Sequence, residues 1–258
     1  MKYILICGGN EKKNTKNYSL PKPLNYINGR HMIEYIINNI PSDEIYIIYN
    51  IYLQNFNFEE IVKNLFRTKK IYFSVVEYLT RGIVETAYVG MSNFVFDVDV
   101  DVNNSESIVF LDNENIITIN NFPIKLNENF ISYSINNYNT NTNYSFISIE
   151  NDIITKIEEE QKISDNYCCG MYGFKNVDIF NKYAKNVLFE NLKTSNEFCF
   201  SKIYELMIKN MEKIIPVYIE KINPYINDFS HSGIIENSDF FNNKVKNNKY
   251  NFIEKKKI

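Results

Sequence analysis

Five segments between residues 3 and 78 alternate between two hydrophobic periods, and this alternation restricts the fold more than any other feature of the chain. YILIC (3–7) is a short apolar run with the pattern of a strand buried on both faces, and EIYIIYN (44–50) and IYFSVVEY (71–78) read as a second and a third strand. Between them, residues 30–39 and EEIVKNLF (59–66) have helical spacing; Met32, Ile33, Ile36, Ile37 and Ile40 form one stripe, and Pro41 stops it. Strand, helix, strand, helix, strand predicts a parallel sheet covered by helices.

Farther along, a helix is expected at 84–94 and a strand at SIVFLD (107–112). YSFISIENDIITKIEE (144–159) reads as two strands joined at Asn151-Asp152, a hairpin signal. CCGMYGF (168–174) reads as another strand, EFCFSKIYELMIKN (197–210) as a helix and IIPVYIE (214–220) as a last strand. The polar tracts 101–107 and 134–143 read as loops, and no internal repeat is present.

Several function classes are excluded early. The 258 residues suffice for one domain with a large core, and no apolar stretch approaches the roughly 20 residues of a membrane span. MKYILICGG is too short in its apolar part for a signal peptide and lacks a small-residue cleavage site, so it reads as a first buried strand in a cytoplasmic protein. The terminal EKKKI reads as a solvated end. Cys7, Cys168, Cys169 and Cys199 lack paired CxxC spacing and read as reduced thiols. A formal net charge of −3 argues against a general nucleic-acid binder, so any phosphate chemistry must be local.

One loop supplies that locality. In open parallel sheets ligands collect beyond the carboxyl ends of strands, and residues 8–28 lie there. The connection is far longer than the usual 2 to about 6 residues. Gly8 and Gly9 allow close backbone approach and expose N–H groups. Lys12, Lys13, Lys16 and Lys22 concentrate positive charge in an acidic protein, while Pro21 and Pro23 restrict the backbone around Lys22. A polyanion suits such a loop; charge and glycine alone leave a merely solvated loop open.

The spacing goes further. Gly-Gly after the first strand, followed by LPKPLNYINGRHMIEYIINNI (20–40), resembles the signature of the sugar-1-phosphate nucleotidyltransferases, among them glucose-1-phosphate thymidylyltransferases and N-acetylglucosamine-1-phosphate uridylyltransferases. Pro21, Lys22, Pro23, Leu24, Gly29, Met32 and Ile33 match it. Glu11 replaces the usual third glycine, and Lys13 stands where the family has arginine, keeping the charge without the bidentate fork. His31 occupies a proline position and reads as structural. Weaker likenesses follow in order: TRGIVETA (80–87), VFLDNENI (109–116), KIEEEQKISDNYCCGMYGF (156–174), NEFCFSKIY (196–204) and INDFSHSG (226–233).

The resemblance implies an α/β fold: a single Rossmann-like nucleotidyltransferase domain with a mixed, mostly parallel sheet flanked by helices and a smaller β-rich sugar-binding part. Residues 1–120 would form the nucleotide-binding half, 121–245 the sugar-phosphate-binding half, and 246–258 a charged tail. The implied reaction joins a nucleoside triphosphate, UTP or dTTP, to glucose- or N-acetylglucosamine-1-phosphate and releases pyrophosphate. Lys22 and Lys13 would be catalytic. Gly8, Gly9, Gly82, Arg81 and Glu85 would bind the nucleotide, and Glu159, Lys162, Gly170 and Glu197 the sugar phosphate. The family lysine of the Glu-Lys segment falls on Glu160 or Lys162. Asp112 and Asp228 would hold Mg2+, a hard ion that prefers oxygen ligands. The resemblance also leaves a homo-oligomer open.

Three rival readings remain. Asp97 and Asp99, in FDVDVDVNN (96–104), could serve a metal-dependent glycosyltransferase, although period-two carboxylates also suit a solvated strand edge. Glu11 and the missing arginine suit a non-catalytic nucleotide-sugar-binding module. A phospho-alcohol cytidylyltransferase shares the loop and differs in the acceptor pocket.

Overall fold

The computed structural model describes residues 1–8, 20–94, 106–113, 117, 127–135 and 144–219. Strand β1 (Lys2–Cys7) enters the core at once, with Tyr3 through Cys7 all buried. A single turn of tight helix at Lys22–Leu24 leads into a small hairpin, β2 (Tyr26–Ile27) and β3 (Arg30–His31), and then into α1 (Met32–Asn39). Next come β4 (Glu44–Asn50), α2 (Phe58–Leu65), β5 (Lys70–Val76), α3 (Ile83–Ser92) and β6 (Ile108–Asp112). The second half adds β7 (Asn129–Ile135), the hairpin β8 (Ser145–Glu150) and β9 (Ile153–Glu159), and β10 (Asn166–Phe174). It continues with α4 (Val177–Phe189), α5 (Phe200–Lys209) and β11 (Ile214–Tyr218).

Nine strands make one sheet, ordered β11-β7-β10-β6-β1-β4-β5, with β8 joined to β10 and β9 to β8. The pairs β1/β4, β1/β6, β4/β5 and β11/β7 are parallel, whereas β10 runs antiparallel to both β6 and β7. The sheet is therefore mixed and mostly parallel, flanked by helices, as expected. Alternation along β1 divides the core: Tyr3, Leu5 and Cys7 pack with α1 and α2, and Ile4 and Ile6 with residues of α3, α4 and α5. Among the described residues no helix is long and apolar enough to cross a membrane.

Three local expectations need correction. Residues 30 and 31 form β3, not the first turn of α1, because His31 caps that helix. Residues 134 and 135 belong to β7 instead of a loop. Ser132 and Ser134 make that strand look polar, yet both are buried, and the Ser132 hydroxyl donates to the Met171 carbonyl (3.0 Å) and accepts from its N–H (3.1 Å). The third is α4, absent from the sequence reading, which docks Phe180, Tyr183, Ala184 and Val187 into the core and is capped by Asn176 accepting from the Ile179 N–H at 2.9 Å. Asp97, Asp99 and the tail 246–258 lie outside the described residues.

Candidate active site

All four parallel strands β1, β4, β5 and β6 end at the same edge of the sheet, where open parallel sheets bind ligands. Gly8 follows β1 at this edge. A Cβ there would stand 2.7 Å from Cγ2 of Thr86, so Gly8 lies against the first turn of α3. Thr86 is itself fixed, its hydroxyl 2.6 Å from that of Thr80 and donating to the Gly82 carbonyl at 3.2 Å.

Lys22 opens a turn held at both ends. Pro21 enters with an extended backbone, the Leu24 N–H donates to the Pro21 carbonyl (2.8 Å), and Pro23 and Leu24 are buried. From the other side, Nδ1–H of His31 donates to the Leu24 carbonyl at 2.6 Å, and the Met32 N–H donates to the Asn25 carbonyl at 2.8 Å. The His31 N–H donates to Glu34 Oε1 (2.8 Å), a carboxylate reaching back over the first turn of α1. His31 is thus structural, as read from the sequence.

Asp112 closes β6, half-buried, level with Ile6 of β1. Antiparallel pairing of Leu111 with Met171 puts Gly170, at φ 77°, beside Asp112 on β10, where the β7–β10 register shifts. The Asp112 charge reaches the Cys169 thiol, which burial first and neighbouring Cys168 and Asp112 next push well up.

A third group gathers at the start of α3. Glu85 is buried; burial pushes its carboxyl up, but hydrogen bonds from the Arg81 guanidinium and backbone together win and hold it below the usual range. Arg81 Nη2 and Nε donate to Glu85 Oε1 at 2.7 and 3.1 Å, and its N–H donates to Oε2 at 2.6 Å. Glu85 therefore orients Arg81, a role its helical spacing permits but does not reveal. Gly82, at φ 148°, lies against Phe198 of the α4–α5 connection (190–199), next to the exposed Glu197.

Of the residues expected to bind the sugar phosphate, Glu159 ends β9 and accepts from the Ser145 hydroxyl at 2.5 Å. Burial pushes the Cys199 thiol up to about 12, helped by the charges of Glu159, Glu197 and Glu160, so these carboxylates gather around the N-terminus of α5. Lys162 makes an ion pair with Asp165 at 2.8 Å. Thus the structure brings Arg81, Gly82 and Glu85 close to Glu197, and Asp112 close to Gly170. Gly9, Lys13 and Asp228 lie outside the described residues, and among those described no three His, Cys, Asp or Glu side chains form a metal cluster. Phe198 and Lys193 escape sequence reading altogether.

No protein-family profile and no curated protein matches the chain by sequence. Solved structures do match by shape, and what they share with this chain is the fold. The fold is that of the nucleotide-sugar pyrophosphorylases and related nucleotidyltransferases. The nucleoside-diphosphate-sugar pyrophosphorylase from Vibrio cholerae RC9 superposes with TM-score 0.71 at 18% identity, covering 90% of this chain and 100% of that one. A UDP-glucose pyrophosphorylase complexed with UDP-glucose gives 0.67 at 13%, covering 95% and 99%. The inositol-1-phosphate CTP transferase from T. maritima gives 0.66 at 9%, covering 91% and 98%.

Proposed function

We propose that the protein is a sugar-1-phosphate nucleotidyltransferase that takes UTP or dTTP with glucose- or N-acetylglucosamine-1-phosphate and forms a nucleotide sugar and pyrophosphate. The observation that carries this reading is the Lys22 turn, fixed by Pro21, buried Leu24 and the His31 cap at the start of α1. A lysine on so constrained a backbone suits a fixed cation at a developing charge.

The sugar phosphate oxygen attacks the α-phosphorus, and the bond to the bridging oxygen of pyrophosphate breaks. Both reactants are anions, so the protein's work is to align them and offset charge. Lys22 contacts the α-phosphate or the incoming phosphate, and Lys13 steadies the departing phosphates. Gly8 and Gly9 admit the triphosphate backbone-first, and Gly82 and Arg81, oriented by Glu85, line the nucleotide side. Glu159, Gly170, Glu197 and Lys162 serve the sugar phosphate. Mg2+ commonly binds through one or two carboxylates plus substrate phosphates, and a half-buried aspartate ending a central strand fits that donor set. Asp112, with Asp228 as second ligand, would hold the ion, which when bound neutralises phosphate charge. We place the reaction in the cytoplasm, in keeping with four free cysteines, and leave room for self-association.

A second reading, cytidylyl transfer to a phospho-alcohol, is favoured by one observation: the likeness to an inositol-1-phosphate CTP transferase over 91% of this chain. Pyrophosphate release measured for each nucleoside triphosphate against sugar-1-phosphates, inositol-1-phosphate and phosphocholine separates the two. Lys22→Ala should lower kcat by about 10²- to 10³-fold with the fold intact. Near-normal turnover in that variant sinks the assignment.

A further inference from the structure

Phe198 is fully buried yet lies in neither helix nor strand, and four interactions fix it. Its N–H donates to the Arg81 carbonyl at 3.0 Å, and its carbonyl accepts from the Val84 N–H at 3.1 Å. These bonds straddle Gly82, whose missing side chain makes room for the Phe198 backbone. Its ring lies 4.9 Å from the Arg81 guanidinium carbon and 4.9 Å from the Lys193 ammonium. Arg81 is held by Glu85, and the connection folds back on itself through mutual Thr194 and Glu197 backbone hydrogen bonds of 3.0 and 2.8 Å. Two distant stretches of chain are thus locked by backbone pairing, by a steric fit and by two cations on one ring.

We propose that Phe198 is a positioning residue: it fixes the start of α3, carrying Gly82 on the nucleotide side, to the connection carrying Glu197 on the sugar side, so that filling the first site is felt at the second. This rests on the nucleotidyltransferase reading for which site is which. The clasp itself does not. Paired backbone bonds on both sides of one glycine leave no freedom for either segment to shift alone, so ordering one orders the other.

Backbone amide hydrogen exchange on the full-length chain tests this, with and without UTP and Mg2+. Phe198→Leu should speed exchange at 81–85 and 194–199 together, whereas Phe180→Leu, an equally buried truncation on α4, should leave both stretches as in wild type. Lys193→Met removes one cation from the ring without touching the core; it should speed both stretches by about fivefold, keeping the test usable if Phe198→Leu fails to fold. In wild type UTP should slow exchange at 194–199 as well as at 81–85, and Phe198→Leu or Lys193→Met should weaken that spread. Independent opening of the two stretches, or UTP protection confined to 81–85 in wild type, overturns the proposal. Absence of any UTP protection counts against UTP as substrate, while the ligand-free comparison still decides the clasp.

Discussion

Replacing Gly82 by alanine should be among the most damaging single-methyl changes this chain can suffer. At φ 148° and ψ 173° the residue occupies a region closed to side chains, which alone costs about 1–3 kcal/mol. The new methyl would also overlap the Phe198 nitrogen and stand 2.6 Å from its carbonyl oxygen and 2.9 Å from its Cα. These are backbone atoms, so no rotamer relieves the clash; the connection must retreat and weaken the two hydrogen bonds to Arg81 and Val84, about 1 kcal/mol each. Together the loss is about 3–5 kcal/mol, a large part of a typical domain's stability of about 5–15 kcal/mol. Gly29 supplies the control: its φ is 79° and a Cβ there meets nothing within 4 Å, so Gly29→Ala carries only the backbone cost of about 1 kcal/mol. Urea unfolding of both variants, read as a midpoint shift at unchanged slope, measures the difference. If Gly82→Ala falls within about 1 kcal/mol of Gly29→Ala, the steric account of the clasp is wrong.

Three further outcomes follow from the same geometry. His31→Ala removes the bond to the Leu24 carbonyl but keeps the backbone bond to Glu34; it should cost about 1 kcal/mol, seen as a melting temperature lowered by about 2–4 °C. Glu85 is held below its usual range by Arg81, so its contribution is complete above the ordinary carboxyl value of about 4.3 and fades as pH falls through its lower folded value. Acid titration of stability should accordingly be shallower in Glu85→Gln than in wild type, and identical slopes would contradict the pairing. With its thiol pushed up to about 12, Cys199 should react with iodoacetamide at pH 8 about 10³-fold more slowly than a free thiol, a rate that mass spectrometry of the native protein can follow.

The elements most legible in the sequence are those buried on both faces. β1, β4 and β6 are continuous apolar runs because helices cover them on either side, whereas β5, at the edge of the sheet, is only partly covered and leaves Tyr72 exposed; the β8–β9 hairpin is announced by Asn151 and Asp152, which both take left-handed conformations. β7 is hidden by its serines, whose hydroxyls are satisfied only across the sheet, something no local pattern displays. α4 is legible as well: Phe180, Tyr183, Ala184 and Val187 stand at helical spacing, with Asn181, Lys182, Lys185 and Asn186 on the opposite, polar face, and Asn176 is a readable cap. At the candidate site, the Pro21–Lys22 turn and Gly82 are readable because their constraints lie in the local backbone. Phe198 is not, because its partners, Arg81 and Val84, come from the other half of the chain.

A shortage of glycine explains why local signals are weak elsewhere. The chain has eight glycines in 258 residues, yet nine non-glycine residues in its described part have positive φ, five of them asparagine: Asn28, Asn57, Asn151, Asn191 and Asn196. Asparagine tolerates this conformation better than other residues with side chains, so it serves wherever only the backbone angle matters. It cannot serve at Gly82, where Phe198 leaves no room for any Cβ. Asn196 and Ser195, both left-handed, immediately precede Glu197 and Phe198, so the connection bearing them holds a mildly unfavourable backbone in place by tertiary contacts. Glu11 and Lys13 depart from the resembled signature, whereas the constrained turn that carries Lys22 is kept, so pyrophosphate release by the wild-type chain is the measurement that separates a catalyst from a binding module.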